Sequence, residues 1–164
     1  MTLIKQFGIP KFHVVGHHSG ASIATEMAVL HPEQVLSLSV VGLAAMTPAE
    51  QKKFVDTEIV MFNKPVKDGS HFLKVWDYLD VIGLDVVDKH YQTLDNARAY
   101  EGRIQVYTCV FSQPVIELTK KVSVPFLVMC SKEDVLFPYM ETIKEAVSFS
   151  ADLKLANSCT NNLD

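Results

Sequence analysis

The sequence predicts an α/β fold built on a parallel sheet, and three observations predict it. First, Phe12-His13-Val14-Val15 is an apolar strand pattern that breaks at Gly16 and, past Gly20, gives way to a helical one. Second, Val35-Leu36-Ser37-Leu38-Ser39-Val40-Val41 is a near-continuous apolar run bounded by turn signals, the pattern of a strand buried on both faces. Strand, helix and strand within about 30 residues make a right-handed βαβ unit. Third, Val124-Pro125-Phe126-Leu127-Val128-Met129-Cys130 reads as another buried strand, and a helix over residues 138–147 follows it, with Pro138 suited to a first turn.

The elements follow in order. Ser19, Gly20 or Ser22 opens the first helix, in which Ile23, Met27 and Leu30 recur at helical spacing. His31-Pro32-Glu33 ends it. Residues 47–121 differ in kind, being helix-rich and carrying most of the charge. Thr47-Pro48-Ala49-Glu50 is a capping-box start. Asp68-Gly69-Ser70 precedes Phe72, Val75, Trp76, Leu79 and Ile82, an apolar stripe at helical spacing. A further helix over residues 85–96 is expected to turn Leu84, Val87, Tyr91 and Leu94 inward. Residues 152–156 read as a short last strand.

Bulk composition narrows the function classes. At 164 residues the chain suffices for one domain with a substantial core, and 48% of it is hydrophobic. The formal net charge is −4 with both signs interspersed, which gives no electrostatic footprint for nucleic acid or for an anionic membrane. No stretch has the length and apolarity of a bilayer span, and Met1-Thr2-Leu3-Ile4-Lys5-Gln6 lacks a signal-peptide layout. Cys109, Cys130 and Cys159 are an odd set without metal or redox spacing, read as free thiols in a reducing, cytoplasmic compartment. No phosphate loop, metal site or dinucleotide fingerprint is present, so no cofactor is expected.

The segment Gly16-His17-His18-Ser19-Gly20 carries the chemistry. A strand that turns this abruptly into a helix holds its central residue in a strained backbone conformation, and small residues are needed two before and two after it. Around His18 those positions are Gly16 and Gly20; around Ser19 they would be His17 and Ala21. His18 therefore takes the central seat.

This order resembles the α/β-hydrolase family, in the subgroup with a helical cap inserted after the sixth strand. Val14-Val15-Gly16-His17-His18-Ser19-Gly20-Ala21 looks like the nucleophile elbow and its helix. Pro32-Glu33-Gln34-Val35 looks like the step into strand six, and Val124-Pro125-Phe126-Leu127-Val128 with Ser131-Lys132-Glu133-Asp134 looks like strand seven and the acid loop. The resemblance implies a partial α/β-hydrolase fold, a parallel sheet of strands five to eight with a helical cap. It divides the chain into an α/β core with the elbow (1–46), the cap (47–121), and an α/β core with the acid loop and last strand (122–164). Strands one to four and one oxyanion-hole amide have no counterpart here; a truncated gene model, a splice form or a fragment would each account for that. The elbow strand would then have an open, apolar edge, to be covered by a missing N-terminal half or an oligomer partner.

In a working member, serine attacks an acyl carbon, histidine relays the proton and aspartate orients the histidine. The resemblance places the acid at Asp134. The relay histidine is expected after the last strand, yet no histidine follows His90, and Asn161 sits about where it would be. Asn cannot serve as a general base. His18 could act as a nucleophile, as a general base, or as the mark of a pocket that only binds. Ser19 would offer its backbone N–H to an oxyanion, with its hydroxyl as an alternative nucleophile. His17 takes the position before the nucleophile. His13 is read as packed under the sheet. His17, Met46, His71, Trp76 and Phe137 are the candidate substrate-binding residues, although Trp76 also fits an ordinary core stripe. The function implied is hydrolysis of small apolar ester- or lactone-like substrates with a degenerate triad. The alternatives are an inactive binding protein and a non-hydrolytic acid/base enzyme using His18. The partner implied is a small molecule, with neither nucleic acid nor membrane.

Overall fold

The structure is a computed structural model that describes residues 2–59, 64–81, 83–147 and 153–157. It contains two compact units, Met1–Pro48 with Gln113–Asp164, and Ala49–Ser112. The elements in chain order are α1 (Thr2–Gln6), β1 (Phe12–His17), α2 (Ser19–Leu30), β2 (Val35–Val41), α3 (Pro48–Phe54) with a π-helical turn after it (Val55–Ile59), α4 (Ser70–Val81), α5 (Val86–Arg98), α6 (Tyr100–Val110), α7 (Val115–Thr119), β3 (Phe126–Cys130), a 3₁₀ turn (Phe137–Tyr139), α8 (Met140–Val147) and β4 (Leu153–Asn157).

In the first unit the four strands lie side by side in chain order, β1-β2-β3-β4, and every neighbouring pair is parallel. Each crossover therefore steps in the same direction. Because parallel crossovers are right-handed, such a sheet receives its connecting helices on one face. The helices bear this out: α2 packs on β1 and β2, and α7 packs against both α2 and α8.

Burial along the strands alternates accordingly. Gly16, Leu38, Val40, Phe126, Val128 and Cys130 are buried, and the register sets Gly16 beside Val40, Leu38 beside Phe126 and Val40 beside Val128 on the covered face. The alternate residues of β1, His13, Val15 and His17, are exposed on the other face, beside Ser37, Ser39 and Val41. Val15 is 72% exposed. His13, expected under the sheet, instead lies out on this face, where its Nδ1 is 2.7 Å from the Ser37 hydroxyl. An imidazole beside a hydroxyl and open to water keeps its polar atoms satisfied, which burial under the sheet would not ensure.

Helix α2 corrects a second expectation. Its buried residues are Ala21, Ser22, Ala24, Thr25 and Ala28, whereas Ile23 and Leu30 are exposed. Small side chains let the helix backbone approach the strands closely, and the Thr25 hydroxyl donates back to the Ala21 carbonyl at 2.8 Å, satisfying itself without a cross-sheet partner.

The second unit is all helical among its described residues. Phe54, Tyr107 and Phe111 form a ring cluster, with Phe54 and Phe111 centroids 4.3 Å apart, and Arg103 lies 4.5 Å over the Tyr107 ring. Asp68 Oδ1 accepts from the Ser70 amide at the start of α4, which holds its carboxyl below the usual range. The Asp85 side chain caps α5 by accepting from Val87 and Asp88 amides. The apolar stripe expected on α5 is turned outward: Val87, Tyr91 and Leu94 are exposed, and Lys89 and Thr93 are buried. The reason lies on α4. The Lys89 ammonium sits 4.6 Å over the Trp76 ring and 2.6 Å from Asp80 Oδ1. Its stem supplies apolar burial while its charge keeps a carboxylate and a π-face as partners. Cys109 is an exposed free thiol and Cys130 a buried one, while Cys159 and Ile82 lie outside the described residues. No helix among the described residues is long and apolar enough to cross a membrane.

Two predictions follow from this packing. A Cβ on Gly16 would lie 2.3 Å from the Gly20 carbonyl oxygen, whereas a Cβ on Gly20 meets nothing within 4 Å. In urea denaturation Gly16→Ala loses about 3 kcal/mol of stability, while Gly20→Ala stays within ~1 kcal/mol of the native chain. In the second unit, Lys89→Ala costs about 2 kcal/mol through lost stem packing and lost cation–π attraction. Lys89→Met keeps the stem and costs less, because Asp80 remains solvated. Equal losses for the two Lys89 variants would show that charge alone holds α5 in this orientation.

Candidate active site

The site begins with the turn from β1 into α2. His18 sits at φ 48°, ψ −113°, and it alone among the described non-glycine residues has a positive φ. That conformation costs about 1–3 kcal/mol for a side-chain-bearing residue and persists only when its surroundings enforce it. Three bonds enforce it: the His18 amide donates to the Val41 carbonyl at 2.9 Å, and the His18 carbonyl accepts from the amides of Ala21 and Ser22 at 2.9 and 3.4 Å. The turn leaves the amides of Ser19 and Gly20, the first two of α2, without an intrahelical acceptor. The steric argument for two small residues is met unevenly. Gly16 is forced by the Gly20 backbone, whereas Gly20 itself has room for a side chain.

The His18 imidazole reaches across the strand ends to Asp134. Nε2 lies 2.8 Å from Oδ2 of that carboxylate, with the His18 side chain 40% exposed and that of Asp134 14%. Asp134 stands in the turn after β3, where its amide donates to the Ser131 carbonyl and its own carbonyl accepts from the Phe137 amide. Its second oxygen, Oδ1, accepts from the Leu136 amide at 2.8 Å. The carboxylate is thus fixed at both ends. A carboxylate accepts hydrogen bonds and does not donate them, so the contact fits an Nε2–H donated to Oδ2, and in the neutral form of an imidazole that tautomer leaves the lone pair on Nδ1. The acid–histidine contact expected from a distant relay histidine is made by the elbow residue itself. Asn161 lies outside the described residues.

The other candidates fall in several places. The exposed His17 stacks its ring on His18 at 4.3 Å and 29°. Ser19 is the first residue of α2. Met46 is buried on the segment leaving β2, and Phe137 is half-buried at the start of the 3₁₀ turn that follows Asp134. His71 and Trp76 belong to the second unit. There the His71 ring packs against Phe72 and the Trp76 ring underlies Lys89. Sequence reasoning passed over Gly42, whose Cβ position falls against His18 and Asp134; its place directly after an apolar strand was the available signal. The neighbouring Glu133 accepts from the Ser131 hydroxyl, which lowers its pKa. Burial, with a smaller push from the Asp134 carboxylate, raises the Cys130 thiol to about 11. No group of three or more His, Cys, Asp or Glu among the described residues could hold a metal ion.

No protein-family model matches the chain, and no curated protein matches it in sequence. Solved structures do. The chain is similar to MGS-M2, an α/β-hydrolase enzyme from a Medee basin deep-sea metagenome library, at 20% identity and a TM-score of 0.70, over 96% of this chain and 60% of that one. A probable hydrolytic enzyme from Pseudomonas aeruginosa gives 17% identity and a TM-score of 0.70, over 96% and 59%. A membrane phospholipase A described as a bacterial virulence factor gives 20% identity and a TM-score of 0.68, over 94% and 51%. The chain therefore has part of the α/β-hydrolase fold, and it spans between 51% and 60% of the length of these three structures.

The raised thiol gives a pH prediction. Its pKa rises from an ordinary thiol value of 9.0 to about 11 in the folded chain, so the native state holds the proton more tightly. That contribution to stability is complete below pH 9 and is lost as pH rises through 11. The urea midpoint of the native chain falls more steeply between pH 9 and 11 than that of Cys130→Ala, and parallel curves would remove the thiol from the account.

Proposed function

We propose that this α/β-hydrolase-fold chain hydrolyses small, largely apolar ester- or lactone-like substrates by general-base catalysis from His18, with Asp134 as the orienting carboxylate. The observation that carries the reading is the 2.8 Å hydrogen bond between His18 Nε2 and Asp134 Oδ2, made from the strained central seat of the elbow. With Nε2–H committed to Asp134, Nδ1 is the base. A water beside Nδ1 gives it a proton as the water oxygen bonds to the acyl carbon, and the carbonyl electron pair moves onto oxygen. The tetrahedral oxyanion is met by the Ser19 amide. Asp134 stabilises the imidazolium formed. Collapse re-forms the carbonyl, breaks the acyl–oxygen bond and returns the proton from Nδ1 to the leaving alkoxide, giving acid and alcohol. No covalent enzyme intermediate is needed, which suits an imidazole in place of a hydroxyl. Met46 and Phe137 supply apolar surface to the substrate. The hydrolases among the structures of like fold support a hydrolytic reaction, and the phospholipase A among them supports an acyl ester as its target.

The same imidazole could take a proton from a carbon acid without hydrolysis. The second reading is favoured by a base, and not a serine, occupying the seat.

Chromogenic esters test the proposal. His18→Gln and Asp134→Asn each reduce kcat/KM by about 10²–10⁴-fold if a general base is lost or misoriented. A fluorophosphonate probe leaves Ser19 unlabelled. Labelling at Ser19, or esterase activity that appears only in His18→Ser, would sink the general-base mechanism.

A further inference from the structure

Strand β2 ends at Val41, and Gly42 follows at φ 62° while still bonded to β3, its amide donating to the Met129 carbonyl at 2.9 Å. The preceding carbonyl, that of Val41, accepts from the His18 amide at 2.9 Å. The backbone at Gly42 thus passes against the elbow. A Cβ there would lie 2.7 Å from Cδ2 and 2.9 Å from Nε2 of His18, and 3.3 Å from Oδ2 of Asp134. Nε2 and Oδ2 are the two atoms of the hydrogen bond that joins the pair.

We infer that Gly42 is a positioning residue for His18, its missing side chain being the space through which the imidazole reaches Asp134. Cβ contacts below 3.0 Å are essentially never tolerated, so a methyl at this position displaces the ring. The carboxylate cannot follow, because Leu136 N–H pins its other oxygen at 2.8 Å. Nor can the His18 backbone retreat without giving up its bond to Val41. The overlap is therefore relieved at the hydrogen bond. The inference uses the His18–Asp134 pair of the proposed function, but it concerns the geometry of the pair, and its test reads that geometry without turnover.

The test uses the full chain and has two arms. In ¹H–¹⁵N spectra of ring-labelled histidine, the native chain shows a downfield His18 Nε2–H held by the carboxylate. That signal is lost in Gly42→Ala, as it is in Asp134→Asn, while the backbone amide spectrum stays folded. The second arm is a double-mutant cycle in urea. A positive φ strains any alanine at position 42 whatever surrounds it, but the ring overlap exists only when His18 is present. Gly42→Ala therefore shifts the unfolding equilibrium constant about 10-fold less in a His18→Ala background than in the native one. Retention of the bonded Nε2–H in Gly42→Ala overturns the inference. Equal costs in the two backgrounds overturn it as well, including the case in which both alanine-42 chains fail to fold. Absence of esterase turnover in the native chain would count against the proposed function and leave both arms of this test intact.

Discussion

The contact on which the site depends is the approach of the Gly16 backbone to the Gly20 carbonyl. It leaves no space for even a methyl group, and it brings the end of β1 and the start of α2 together within a single residue, His18. That residue then has no ordinary conformation available. Its positive φ is held by hydrogen bonds to Val41, Ala21 and Ser22, so the strain is distributed over β2 and α2. The imidazole leaves the turn in one direction, across the strand ends. Asp134 meets it there because β3 lies next to β2, and its turn is set by bonds to Ser131, Leu136 and Phe137. A local steric fact at one glycine is converted into a long-range pairing of two ionisable groups.

The second constraint is direction of winding. Strands laid down in chain order, all parallel, put α2, α7 and α8 in one layer. The covered face buries Leu38, Val40, Phe126 and Val128. The opposite face is lined by His13, Val15 and His17 on β1, with Ser37 and Ser39 on β2, a more polar set than parallel sheets usually carry. The His13–Ser37 bond shows this face meeting its polar needs within itself. The helical unit obeys its own logic. There the burial of a lysine stem on Trp76 outweighs the apolar stripe that periodicity alone would have turned inward.

Much of this was legible in the residues. Gly16 and Gly20 marked the turn, and their spacing put His18 in the strained seat that the backbone shows. The apolar runs at Val35–Val41 and Phe126–Cys130 became neighbouring parallel strands, and Pro138 stands within the 3₁₀ turn that leads into α8, which itself begins at Met140. Three things were out of reach for physical reasons. The His18–Asp134 bond joins residues 116 apart in sequence, so only the sheet order brings them together. The orientation of α5 depends on one ion pair and one ring on α4, which helical periodicity does not register. The buried side of α2 consists of small residues, whose value lies in close approach and not in hydrophobicity, so a search for large apolar side chains picks the wrong face.

The order of the strands also sets the course by which the sheet can assemble. The β1–α2–β2 unit closes over short connections and can form as soon as those residues are available. The next step, from Val41 to Phe126, must bring together strands separated by the whole helical unit. Loop-closure entropy rises only as the logarithm of the span, about 0.6 kcal/mol for each doubling, so this crossover is slow more than it is destabilising. Residues Ala49–Ser112 make their own internal contacts, and once formed they replace a long floppy connection by a compact one. The rate at which His18 meets Asp134 during folding is thereby tied to helices that carry neither residue.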